Sequence, residues 1–248
     1  MITNDCKSYE VIGYADKLAT KIEIPKTYKD KLVTGIGKNC FRDFSRLTRV
    51  DIPEGIEVIE EGAFSNSGLK YIIELPSTLK RIEKDAFSDC ESVTEFLFGM
   101  DSQLEYIGEN AFGYCSSLEG ICLADTVKYI GSDAFAGCYS LEMVMEPREN
   151  MIMPSSSVFG YGKLSFDVYL PRDLKTLGTY VFDYCDKLRT FHIHSSIERI
   201  GRFRESNRIL DKIAFTGTEE QWNEIDIDIG MYTFDEDEEW YKVYFKQK

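Results

Sequence analysis

The sequence predicts a mostly β repeat solenoid with few helices, one elongated unit in place of a globule, and three observations carry that prediction. The first is a frame that returns along the chain: an Ile or its substitute, followed four and five residues later by a small residue and Phe. It is read at Ile36 (Cys40, Phe41), Ile59 (Ala63, Phe64), Ile82 (Ala86, Phe87), Ile107 (Ala111, Phe112), Ile130 (Ala134, Phe135), Leu177 (Val181, Phe182) and, in reduced form, Ile200. With Pro154 and Val158-Phe159 taken as a worn copy between Ile130 and Leu177, the steps are 23, 23, 25, 23, 24, 23 and 23 residues. A fixed period of roughly 20 to 50 residues marks a stacked array, because so short a unit cannot hide its apolar face alone. The second observation is alternation, as in Leu47-Thr48-Arg49-Val50-Asp51-Ile52-Pro53, which reads as a strand with one buried face. The third is that Cys90, Cys115, Cys138 and Cys185 each follow the repeat Phe by three residues, a stacked position for small buried thiols.

In chain order, residues 1–35 read as an N-terminal cap: the strand Ile22-Glu23-Ile24-Pro25 plus extra residues that form a hairpin over the exposed end of the core. Residues 36–200 are the repeats. Each has a front strand, closed in several units by a Pro that has already left the ladder (Pro53, Pro76, Pro171), and a shorter second strand such as Ile56-Glu57-Val58-Ile59. Residues 201–248 form a degenerate C-terminal cap. There Asp211 to Phe215 reads as a strand, Thr218 as the N-cap of a short helix with Glu219 and Glu220 in its first turn, Trp222 as a lid over the core, and YKVYF as a closing strand. The whole chain is expected to be one solenoid domain.

A net charge of −14 argues against nucleic acid, which is gripped by clustered Lys and Arg. The run Asp235 to Glu239 reads as a solvated acidic loop. No apolar run reaches the roughly 18 residues of a membrane span, so no membrane insertion is expected. The first residues, MITNDCKSYEVIGYADK, lack a basic patch and an apolar core of the secretory type, which leaves a cytoplasmic chain or one whose signal is already removed. Seven Cys is an odd number, so the thiols cannot all pair within one chain, although stacked rungs about 4.8 Å apart would bring neighbouring thiols within disulfide reach. His192 and His194 share one side of a strand with no third ligand at metal spacing, and no phosphate loop or nucleophile motif occurs. The expectation is therefore a chain without catalytic or metal-binding residues and without a cofactor.

The units IEEGAFSNSGLKYIIELPSTLKRIEKDAF and IGENAFGYCSSLEGICLADTVKYIGSDAF, with the opening YEVIGY and IPKTYKDKLVTGIG and the closing FTGTEEQWNEI, resemble the BspA-like leucine-rich-repeat proteins over nearly the whole length. The resemblance implies a curved, right-handed leucine-rich-repeat solenoid with a parallel sheet on one face and short second strands on the other. It also implies frequent occurrence on the surface of gut and oral bacteria and some protists, with adhesion or binding of another protein, such as a host extracellular one, or of a glycan.

Strand phase locates the surface for such a partner. With Val50 and Ile52 inward, the outward pairs are Lys21/Glu23, Arg49/Asp51, Ile72/Glu74, Glu95/Leu97, Gly120/Cys122, Met143/Met145, Asp167/Tyr169 and Thr190/His192. The ends of this series are charged and its middle presents Leu97, Cys122, Met143, Met145 and Tyr169, a candidate binding patch. A one-residue slip near Met143 is the competing reading, since strict phase carries Glu146 into the core. A spacer solenoid with no ligand of its own is the alternative function.

Overall fold

The computed structural model describes residues 8–13, 16–99, 101–145, 167–203, 212–228 and 242–245. Glu146, Pro154, Val158, Phe159 and the acidic run 235–239 lie outside the described residues. The chain winds through about eight turns, and each turn adds one strand to a front sheet and one to a back sheet. The front sheet runs in order through Lys70–Leu75, Ser92–Phe98, Gly120–Cys122, Met143–Met145, Asp167–Tyr169, Thr190–Ile193, Lys212–Phe215 and Lys242–Phe245, preceded by the pair Lys21–Glu23 and Arg49–Asp51. The back sheet is built of two-residue strands such as Val58–Ile59, Arg81–Ile82, Tyr106–Ile107 and Tyr129–Ile130, all parallel.

The repeat Phe explains the stack. Phe41, Phe64, Phe87, Phe112, Phe135 and Phe182 form one column in which neighbouring ring centroids lie 5.2, 5.2, 5.6, 5.3 and 5.6 Å apart. All six are at most 1 % exposed. The small residue before each Phe is buried inside the turn, and the Phe N–H donates to its counterpart's carbonyl one rung on: Phe64 to Ala86 at 2.8 Å, Phe87 to Ala111 at 2.8 Å and Phe112 to Ala134 at 2.9 Å. The stacked Cys carry a similar burden. Each thiol donates back one rung to a Phe carbonyl, Cys90 to Phe64 and Cys115 to Phe87 at 3.3 Å, Cys138 to Phe112 at 3.3 Å and Cys185 to Phe135 at 3.2 Å. Cys is small enough for the column and gives a second donor to a carbonyl that already accepts a backbone N–H. Among the described residues the cysteines are free thiols, so the disulfides that rung spacing allows are not formed.

One expectation is corrected. The stretch between Ile130 and Leu177 does not insert a full rung: Ile130 pairs directly with Leu177, Phe135 stacks on Phe182 and the Phe135 N–H donates to Val181 at 2.9 Å. On the back and at the Phe turn this is a single step 47 residues long. On the front, however, Met143–Met145 and Asp167–Tyr169 are separate neighbouring strands, with Val144 opposite Val168. The segment thus adds a front strand at a step where the back ladder and the stacked Phe column add none.

The two ends follow their sequence signals. Thr27–Tyr28 pairs antiparallel with Lys31–Ile36 through Lys29 and Asp30, both at positive φ, as a hairpin requires. Thr218 caps the helix Glu219–Asn223 in a capping box with Gln221, and Trp222 meets Phe215 edge-on at 5.2 Å, against the last core residues.

Candidate binding face

Buried residues fix the phase of the front strands. Val50, Ile73, Phe96, Ile121, Val168, Phe191 and Ile213 are at most 6 % exposed, so their chain neighbours take the outward side. The registers then bring all five predicted residues together on adjacent strands. Phe96 lies opposite Ile121, which sets Leu97 beside Cys122; Cys122 pairs with Met145 and Gly120 with Met143. Val144 opposite Val168 sets Tyr169 next in line, and Tyr169 pairs with His192. Met143 and Met145 therefore hold the register positions of Gly120 and Cys122.

The patch is a floor more than a projection. Cys122 is 8 % exposed, Leu97 and Tyr169 are half-buried, and the Tyr169 ring lies flat on the His192 ring at 4.0 Å and 3°. His192 Nε2 stands 3.8 Å from Asp167 Oδ2, while His194 Nδ1 is 3.4 Å from Thr216 Oγ1, so the two His are engaged with different neighbours. Glu95, next to Gly120 in register, is also buried, and that burial, with the charge of Glu119 second, holds its carboxyl above the usual range. At the N-terminal end the same face is an ion-pair lattice: Lys21 Nζ to Glu23 at 2.6 Å and to Asp51 at 3.0 Å, and Arg49 Nε to Asp51 at 2.9 Å. Hydrogen bonds from Arg49 and then Lys21 hold the Asp51 carboxyl below its ordinary value.

Two exposed residues of the face escape the phase argument. Tyr71 is 71 % exposed at φ +62°, in a bulge where the register shifts before Ile72, itself 37 % exposed. Positive φ is a costly conformation for a ring-bearing residue. A countable signal was present: Leu69 to Pro76 spans seven positions, against six from Leu47 to Pro53. Tyr244, exposed at the far end with Lys212 Nζ 4.4 Å from its ring centre, lies on a strand whose partner register no repeat predicts.

Burial pushes the Cys90 and Cys138 thiols up to about 12 and the Cys115 and Cys185 thiols well above their usual range. Such thiols remain protonated, so the stacked column offers packing and no nucleophile. Among the described residues no group of three His, Cys, Asp or Glu is arranged to hold a metal, and no helix is long and apolar enough to cross a membrane.

The family profile described as the BspA type leucine rich repeat region matches in six copies, over residues 14–142, 98–210 and 155–247. The chain belongs to this leucine-rich-repeat family. Among solved structures, this repeat chain is similar to the leucine-rich-repeat protein of T. pallidum, with 25 % identity, a TM-score of 0.63 and coverage of 87 % of this chain and 81 % of that one. It is also similar to a leucine-rich-repeat protein of Bacteroides ovatus, with 26 % identity, a TM-score of 0.54 and coverage of 92 % of this chain and 64 % of that one. No curated protein matches the sequence.

Proposed function

We propose that the chain is a non-catalytic binding module that engages another protein across the front sheet, between the strands Lys70–Leu75 and Thr190–Ile193. The observation that carries this reading is the row Leu97, Cys122, Tyr169 and His192 on the outward side of the sheet, set in register through the strand Met143–Met145. A chain of net charge −14 has ample charge to cover that side, and it does so at the Lys21–Asp51 end but not here. An apolar row left on an outward face is characteristic of a contact surface, and the bulged, exposed Tyr71 and Ile72 form its rim. The family's frequent occurrence at bacterial surfaces makes host extracellular proteins the first partners to test, with the chain acting as an adhesin.

The test is a capture experiment with the purified chain against extracellular host proteins and a glycan array, repeated with the double substitution Leu97→Asp and Tyr169→Asp. Saturable capture of a protein that the variant loses, with its melting curve retained, supports the reading. Equal capture by both forms, or binding confined to glycans, overturns it.

A further inference from the structure

The Phe turns carry a second surface, separate from the front sheet. Each turn places two residues in the left-handed region, two before and two after the Phe. In the first three rungs these are Asn39 and Asp43, Gly62 and Asn66, Asp85 and Asp89, the residue types that tolerate positive φ. They join in a polar ladder, Asn66 Nδ2 donating to Asp43 Oδ1 at 2.8 Å and Asn110 Nδ2 to Asp85 Oδ1 at 2.7 Å. In the fourth and sixth rungs Tyr enters the pattern, as Tyr114 beside Asn110 and as Tyr180 with Tyr184, at φ 58, 55 and 58°, while the fifth keeps Asp133 and Gly137. A bulky ring gains nothing from this conformation, and its retention at Tyr114 and Tyr184, both exposed, points to use rather than packing.

The rings form one surface. Tyr114 is 47 % exposed, Tyr139 50 % and Tyr184 38 %, on three consecutive rungs. Gly137, at φ +71°, is what lets Tyr114 lie across the next rung, because a Cβ there would stand 2.6 Å from Tyr114 Cδ1. Tyr139 and Tyr184 meet beyond it with ring centres 6.5 Å apart. The turns that carry them are poor in bases. Residues 108–117 and 131–140 contain no Lys or Arg, and Lys187, the lone base in 178–187, is held by Glu142 at 2.6 Å, whereas the first turn carries Lys38, Arg42 and Arg46. Asp133 and Asp186 belong to the same turns. Electron-rich ring faces among carboxylates select a cation, and the molecule shows the geometry on its back sheet, where the Arg81 guanidinium sits 3.9 Å over the Tyr106 ring.

We propose that the Tyr114–Tyr139–Tyr184 edge docks an arginine-containing basic segment of a partner protein by cation–π stacking. The test titrates the full chain with a synthetic nonapeptide of alternating Arg and Gly, with the same peptide carrying Glu in place of Arg, and with cellopentaose, then repeats all three with Tyr114→Asn plus Tyr184→Asn. The substitutions leave the net charge unchanged, so general attraction to an acidic chain persists and the difference isolates the rings. The expected result is binding of the Arg peptide alone, about tenfold weaker in the variant, while the variant melts about 2–4 °C higher because Asn suits the left-handed turn. No binding of the Arg peptide, equal affinity for both forms, preference for the oligosaccharide, or a variant that melts lower would each overturn the proposal.

Discussion

The first three rungs and the next three share one core and differ in nearly everything outside it. Phe41 to Phe182 stack without interruption. Over that column the first rung shows an ion-pair lattice on the front and the early turns an Asn/Asp ladder, whereas from Tyr71 and Leu97 on the front becomes apolar and aromatic, and tyrosines enter the turns of the fourth and sixth rungs. Burial constrains the inward positions, and the outward ones are free to diverge. Surface character in this fold is thus set rung by rung, with little cost to the stack.

Four measurements break or sharpen that contrast. Phe112→Ala removes a ring in contact with both neighbours of the column, at 5.6 and 5.3 Å, and is expected to cost about 3–5 kcal/mol in urea unfolding, whichever half the rung belongs to. Asp89→Tyr carries the later turn type into an early rung at φ 59°, and should destabilise by about 1–2 kcal/mol in the same assay, confirming that tyrosine is strained there. Glu95→Gln tests the buried carboxyl of the apolar row. Its folded-state pKa is raised, so the wild-type chain loses stability relative to the variant as pH rises through that value, and the two converge below the unfolded-state value of about 4.3. Thermal melts from pH 3.5 to 8 read this divergence. Lys21→Ala is expected to leave the melting temperature unchanged within measurement, since its ion pairs with Glu23 and Asp51 are exposed; a marked loss would mean the charged half depends on its surface.

Much of this was legible in the sequence because two periods govern it. Alternation gave the phase of Val50, Phe96 and Ile121, and the rung length placed Phe64, Phe87, Phe112 and Phe135 in one column. The candidate residues Leu97, Cys122, Met143, Met145 and Tyr169 fell on adjacent strands for the same reason. Their degree of cover was not legible: Cys122 is outward yet nearly buried, because cover depends on side chains from neighbouring strands. A count of residues also cannot tell whether a unit closes its back half, so the step from Ile130 to Leu177 was divided into two rungs although the Phe column crosses it in one. The tyrosine turns were hidden in a different way. Asn, Asp and Gly at the two turn positions form a pattern only when the rungs are superposed, and Tyr114, Tyr180 and Tyr184 stand out as its exceptions.

The lone strand pair Met143–Met145 and Asp167–Tyr169 has a consequence for how such a molecule grows. With no matching step behind it, the added strand lengthens the working side by about 4.8 Å while the rear keeps its count. Rungs on either side must fan apart there like leaves of a half-open book. A lineage can in this way extend the area it offers to others without adding a step to the stacked rings behind it.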